Sequence, residues 1–366
     1  MKNDILFLTL ETFRQTGGIQ QVCRTLAKAL QEVGREVKLY SLCDNTEDLR
    51  DEYLSKSGFK AFSGNKLRFA VQTLRIAGNY PVIILSHVNL LPLAYVAKLR
   101  KPSVRIIMLA HGIEVWRQLS AIQRCFINKQ TEIWAVSEFT KSRMIRTNKI
   151  SATKIRVLNN GLDPYFRTPA GFDKPVRLLT RYKISGDQPV ILSVCRLSAF
   201  EHQKGYDRVI KAIPELVRLQ PSLRYLIAGP CDRTEKQRLE ALIEDLNVTQ
   251  HVHLLGKIKQ EELVAHYLLA DVFALPSQKE GFGLVLTEAA ACGCKVIAGN
   301  RDGSSDALLG GRIGCLVDPN HPEQLTTSLK SCLSDLSRAH CRQLQQLTLK
   351  AFSFSAYKNK VKKLLL

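Results

Sequence analysis

The chain has 366 residues, with 53 Lys and Arg against 33 Asp and Glu, for a formal net charge of +20. Hydrophobic content of 45% and charged content of 23% exclude a disordered chain, and the length suggests about two domains with cores of their own. No run of eighteen apolar residues occurs, so no transmembrane helix is expected.

The elements follow in chain order. ILFLTL (Ile5 to Leu10) reads as a first core strand; bracketed by Asp4 and Glu11, it is too short for a signal peptide. GGIQQVCRTLAKALQEVG places Val22, Leu26, Ala29, Leu30 and Val33 on one helical face. EVKLYSL, PVIILS, VRIIMLAH, EIWAVS and IRVLNNG follow as strands with helical spacers, and Pro81 to Leu99 reads as a buried strand followed by a helix. Strands separated by helices imply parallel sheets with right-handed crossovers. The Pro-, Gly- and charge-rich stretch from Asp163 to Pro189 is expected to contain an interdomain connection. A second series then runs VILSVCRL, LRYLIAG, VHLLG, DVFALPS, KVIAG and GCLVD, with helices expected around Asp207–Leu219, Glu235–Leu246 and Gln260–Leu269. The expected domains are 1–165 and 166–345, with a basic amphipathic helix in 346–366 that ends YKNKVKKLLL.

In such α/β units ligands bind beyond the carboxyl ends of the strands, so the turns there carry the chemistry. Gly17 and Gly18 follow the first strand and open a helix, which suits close approach of a phosphate to backbone N–H groups; turn geometry alone is the competing reading. The spacing is not G-x-G-x-x-G, so no dinucleotide fingerprint is read. His111, in HGIEVW, stands at a strand end where an imidazole can bond a substrate hydroxyl or serve the fold. Arg196, in SVCRL, and Lys204, before Gly205, are two cations at another strand mouth; they suit a diphosphate or are solvated surface charge. In PSQKEGFGLVLTEAAACGCKVIAG, Glu280 and Glu288 stand eight apart across Gly281, Phe282 and Gly283. The glycines give a loop whose amides can cradle phosphate, and carboxylates there can accept bonds from vicinal hydroxyls, as a sugar site requires. A capping Glu280 and a surface Glu288 would leave the glycines and the apolar surroundings of Glu288 unexplained.

Ten cysteines lie mostly in apolar segments without zinc spacing, which reads as reduced, buried thiols; Cys292 and Cys294 form only a C-x-C. From Tyr53 to Ile113 there is no acid but nine Lys and Arg, a pattern for an anionic membrane surface, a solvated basic face or nucleic acid.

ADVFALPSQKEGFGLVLTEAAACGCKVIAG resembles the E-x7-E region of family-4 retaining glycosyltransferases with the GT-B fold. TGGIQ, HG-x-E-x-W, VSEFTK, NNGLD, SVCRL, KGYD, LIAGP, HLLG and DGSSDALLGGRIGCLVDP match in order over most of the chain. The resemblance implies two facing Rossmann-like domains, N-terminal for the acceptor and C-terminal for a nucleotide sugar, with the active site in the cleft and the last helix packed back on the first domain. Arg196 and Lys204 would hold the donor diphosphate, with the amides near Gly17 and Gly18 and the loop Gly281, Phe282, Gly283 and Leu284. Glu288 would bind the ribose and Glu280 the transferred hexose, with His111 near that sugar and the forming bond. The implied reaction is metal-independent, cofactor-free hexosyl transfer with retention, from a UDP- or GDP-sugar to a glycan or lipid-linked acceptor in polysaccharide, lipopolysaccharide or glycolipid assembly. It would take place in the cytoplasm or on the inner face of the membrane. Family members often carry an acid where this chain has Gln20, which bears on the acceptor rather than the activity. The competing readings are a GT-B sugar-nucleotide epimerase, which would lack the acid pair, and a basic nucleic-acid-binding protein, for which no module is recognisable. A phosphorylase-like enzyme would need a cofactor lysine motif that is not evident.

Overall fold

The computed structural model describes residues 4–366. The chain forms two units: one runs to Tyr165 and takes in Ala351–Leu366, the other is Phe166–Lys350. The helix Cys341–Phe352 crosses that division, which the sequence reading had placed after residue 345.

The first unit holds a seven-stranded sheet in the order β3-β2-β1-β4-β5-β6-β7. Its strands are β1 (Asp4–Thr9), β2 (Glu36–Ser41), β3 (Phe59–Ala61), β4 (Val82–Leu85), β5 (Arg105–Ala110), β6 (Thr131–Ala135) and β7 (Ile155–Val157). All pair in parallel; Ile5 of β1 faces Val37 on one side and Val82 on the other. Both faces of the central strands are covered, which is why β1, β4 and β5 read as apolar runs, while β2, β3 and β7 carry Lys38, Lys60 and Arg156. Helices α1 (Gly18–Glu32), α2 (Lys66–Ile76), α3 (Leu91–Arg100) and α4 (Ala121–Gln130) lie between them. On one face, Leu26 and Leu30 of α1 share a core with Tyr357, Val361 and Leu365 of the C-terminal helix, Phe354–Leu365. Gly161, in NNGLD, is the seat for that helix: a Cβ there would stand 2.5 Å from Tyr357 Cβ.

The second unit holds a six-stranded parallel sheet, β10-β9-β8-β11-β12-β13. Its strands are β8 (Val190–Val194), β9 (Arg224–Ala228), β10 (Val252–Gly256), β11 (Val272–Leu275), β12 (Lys295–Gly299) and β13 (Cys315–Val317). Helix α5 (Tyr206–Leu219) buries Val209, Ile210, Ile213 and Leu216 against it, and α6 (Leu284–Ala291) follows β11. The expected connection, Asp163 to Pro189, contains a short helix at Val176–Tyr182, where Leu178 is buried.

Two expectations change. The nine cations between Tyr53 and Ile113 are not all free of acceptors within the protein. Lys98, Arg100 and Lys101 donate to the carbonyls of Val104, Leu74 and Gly78, and Arg105 pairs with Glu132. The cysteines are not all buried either: Cys125 and Cys315 are exposed. Among the described residues no helix is long and apolar enough to cross a membrane.

Candidate functional site

In the second unit the chain leaves β8 toward β9 on one side and β11 toward β12 on the other. Such a reversal of strand order opens a crevice at the carboxyl ends of the two central strands. The residues singled out in this unit lie in the loops that follow these two strands, and on α6 beyond.

Arg196 follows β8; its side chain is 65% exposed and its Nη1 lies 3.4 Å from Glu201 Oε1. Lys204 ends the short turn His202–Lys204 that leads into α5, and its Nζ is 2.7 Å from Glu280 Oε2. The two loops are also tied through the backbone, where Gln278 N–H donates to the Gln203 carbonyl at 2.9 Å. Each of the two expected phosphate-binding cations is thus held by a carboxylate. Burial by itself would lower the pKa of Lys204, but the charge and hydrogen bond of Glu280 outweigh it and hold the ammonium above its usual range.

The N-cap of α6 is Gly283, whose φ of 92° is left-handed and suits glycine; no side chain caps this end. Phe282 and Leu284 are buried on either side of it. The alanines of EAAA let α6 bury nearly every face, and this carries Glu288 inside, at 2% exposure. Tyr267 donates its hydroxyl to Glu288 Oε2 at 2.9 Å. Burial and that carboxylate keep the Tyr267 phenol protonated. Glu288 is therefore neither a surface acid nor a neighbour of bulk water.

In the first unit, Gly17 is the N-cap of α1 and Gly18 its first residue; a Cβ on Gly18 would meet nothing within 4 Å. The loop before them is held by residues that sequence reading missed. Buried Asp44 accepts the N–H groups of Thr12, Phe13 and Arg14 at 2.9–3.2 Å. Arg24, buried on α1, donates to the Thr12 carbonyl at 2.8 Å. A charged residue inside the apolar stripe VCRTL was the one available signal for Arg24. Gln20 Nε2 donates to Glu11 Oε2 at 3.1 Å, so the amide suits this chain, where an acid would face Glu11.

His111 follows β5 and is nearly buried. Its Nε2 lies 3.0 Å from the Ser86 carbonyl, which can only accept, so this nitrogen carries the proton and Nδ1 is left as an acceptor. Burial lowers the pKa of the ring, against Glu114, so the imidazole is neutral at pH 7. Glu114 Oε1 accepts the N–H of His111 at 2.6 Å and of Gly112 at 3.1 Å, and Trp116 Nε1 donates to Thr140. Within HG-x-E-x-W, the Glu and Trp anchor the turn that presents the His. Among the described residues no three His, Cys, Asp or Glu side chains are grouped as the ligands of a metal ion would be.

Comparison with known proteins gives the following. The family profile described as Glycosyltransferase Family 4 matches residues 16–166, and that described as Glycosyl transferases group 1 matches residues 179–346. The GDP-mannose-dependent alpha-(1-6)-phosphatidylinositol monomannoside mannosyltransferase of Mycolicibacterium smegmatis is 30% identical over 354 residues, 92% of this chain and 90% of the relative. The D-inositol 3-phosphate glycosyltransferase of Corynebacterium jeikeium is 34% identical over 186 residues, 50% of this chain and 44% of the relative. Among solved structures, a glycosyltransferase from Rickettsia africae superposes with a TM-score of 0.82 at 19% identity, covering 100% of this chain and 98% of that one. Anabaena HepE in complex with UDP-glucose superposes with a TM-score of 0.80 at 18% identity, covering 99% of each chain.

Proposed function

Because the chain belongs to the glycosyltransferases of family 4, we propose that it transfers a hexose from a nucleoside-diphosphate sugar to a lipid-linked or glycan acceptor. The transfer keeps the anomeric configuration and uses no metal ion or other cofactor. The observation that carries this reading is the meeting of Lys204 and Glu280 at the switch point, beside the uncapped glycine turn of α6.

A donor diphosphate entering there competes with Glu280 for the Lys204 ammonium. Arg196, exposed and paired with Glu201, turns to the phosphate at little cost. Released from Lys204, Glu280 accepts hydrogen bonds from hydroxyls of the hexose, and Glu288, oriented by Tyr267, accepts those of the ribose. Attack from the face that the diphosphate leaves forms the bond from the anomeric carbon to the acceptor oxygen. The bond to the phosphate oxygen breaks, and that oxygen takes the acceptor's proton. The departing diphosphate gains charge, which Lys204, Arg196 and the amides of Gly281 to Leu284 stabilise. In the first unit, His111 and the Gly17 and Gly18 amides are the further residues assigned to this reaction.

The Mycolicibacterium relative makes GDP-mannose the first donor to try and a phosphatidylinositol-type glycolipid the first acceptor; UDP-glucose, bound in the Anabaena structure, is the second donor. Work on the inner face of a membrane is supported by α2 and α3, where Leu67 is 76% exposed between Lys66 and Arg68 and Leu99 is 67% exposed between Lys98 and Arg100. Thermal unfolding with UDP, GDP and their hexose conjugates tests the donor reading. A ligand at 100 times its dissociation constant adds about 2.7 kcal/mol, so a selective upward shift with one nucleotide series is expected. No shift with any of them overturns it.

A further inference from the structure

The loop that carries Glu280 has no helix or strand to hold it, yet both sides of its Glu280 peptide are bonded. The partner is the turn after β12, centred on Asp302, whose side chain is 1% exposed. Oxygen Oδ2 of Asp302 accepts the Ser277 hydroxyl at 2.6 Å and the Glu280 backbone N–H at 2.7 Å. Oδ1 accepts the N–H of Ser304 at 2.9 Å. The N–H of Gly303 returns a bond to the Glu280 carbonyl at 2.8 Å. The backbones touch: a Cβ on Gly303 would stand 2.0 Å from the Gly281 carbonyl oxygen. With its peptide fixed, Glu280 has only its own rotamers with which to reach Lys204.

The clamp is made of an ionised group in a place that disfavours one. Burial, helped by the like charge of Glu280, pushes the Asp302 carboxyl up to about 6, against its hydrogen bonds from Ser277, Glu280 and Ser304. At neutral pH Asp302 is thus a buried carboxylate kept at some cost to stability, which is the usual state of groups retained for a site rather than for the fold. An amide would not replace it. Oδ1 and Oδ2 both receive donors, so one side of an Asn would set N–H against N–H or O–H.

We propose that Asp302 is a positioning residue for Glu280: it fixes where that carboxylate stands, and so which hydroxyls of the transferred sugar it meets. This rests on the reading of Glu280 as the acid that holds the sugar. Small displacements of a substrate-holding group are costly, so the effect appears in the sugar's share of donor affinity and not in the diphosphate's share.

The test compares free GDP and UDP with GDP-mannose and UDP-glucose by calorimetry on the full chain, for wild type, Glu280→Gln, Asp302→Asn and the double variant. The affinity added by the sugar is expected to fall about tenfold in Glu280→Gln and by a similar factor in Asp302→Asn, with no further loss in the double variant. Affinity for the free diphosphate is retained or tightened in Asp302→Asn, since Lys204 loses a competitor; general damage to the fold would weaken it. Should Asp302→Asn not fold, Ser277→Ala, which removes one donor to Oδ2 and keeps the carboxylate, carries the same cycle in smaller measure. The proposal is overturned if Glu280→Gln loses the sugar increment while Asp302→Asn and Ser277→Ala keep it, or if their losses add to that of Glu280→Gln. If Glu280→Gln itself keeps the increment, or no nucleotide sugar binds, the reading of Glu280 falls and the role of Asp302 falls with it.

Discussion

Lys204 and Glu280 face each other at 2.7 Å with both side chains 20% exposed, between the open surface, where a pair contributes little, and the deep interior, where removing one partner is costly. A pair of this kind can exchange partners. On the proposed reading the lysine keeps its charge in either state, because Glu280 holds the ammonium before binding and a phosphate would do so after it. Lys204→Ala would remove the cation and also leave the Glu280 carboxylate facing the entering phosphate. Both effects act in one direction, and the loss of a charge-assisted bond alone is worth about 1.5–3 kcal/mol. We expect kcat/KM for the donor to fall roughly 10- to 100-fold, with weaker diphosphate binding in parallel. Unchanged binding and turnover would take Lys204 out of the site.

The element most dependent on a distant segment is the C-terminal helix. Tyr357 is buried against Gly161, Lys358 Nζ pairs with Glu32 at 2.8 Å on α1, and Arg105 donates to the carbonyls of Leu364 and Leu365. The exposed ion pair adds little, so the apolar face holds the helix. Tyr357→Ala leaves a cavity between that helix and the first unit's core, and truncation of a buried aromatic costs about 3–5 kcal/mol. Hydrogen exchange at β1 and α1 should accelerate by a corresponding factor while exchange in the second unit stays as in wild type. Equal protection of β1 in the two proteins would mean the helix contributes nothing to that core.

At the scale of the molecule, the +20 charge acts on association and not on the fold. Lys98, Arg100 and Lys101 donate to carbonyls, Lys60 donates to Gln72 and Arg105 pairs with Glu132, so Lys56 and the α2 cations Lys66, Arg68 and Arg75 are the ones proposed to meet an anionic surface, with exposed Leu67 on the same helix. Each cation near such a surface contributes about 1 kcal/mol. Sedimentation with anionic vesicles should succeed at physiological salt and fail near 1 M, where the Debye length is about 3 Å. Leu67→Glu and Leu99→Glu should weaken it. Equal sedimentation with neutral and anionic vesicles would defeat the charge-driven reading.

What the sequence determined by itself was the series of strands and the acid pair. Parallel strands covered on both faces are written as contiguous apolar runs, and the turns that follow them carry their glycines and charges locally, so β1, β8, β11, Gly283, Glu280 and Glu288 are legible without a structure. The three residues of β3, FKA between Gly58 and Phe62, leave no such trace. The three-dimensional packing was needed to show that Lys204 meets Glu280, that Tyr267 bonds buried Glu288, and that Asp302, Asp44 and Arg24 hold the loops that carry the candidate residues. Each of those bonds joins loops that follow different strands, a loop to a helix, or one helix to another. A hydrogen bond depends on position in space, and a periodic pattern in the sequence carries position only along its own element.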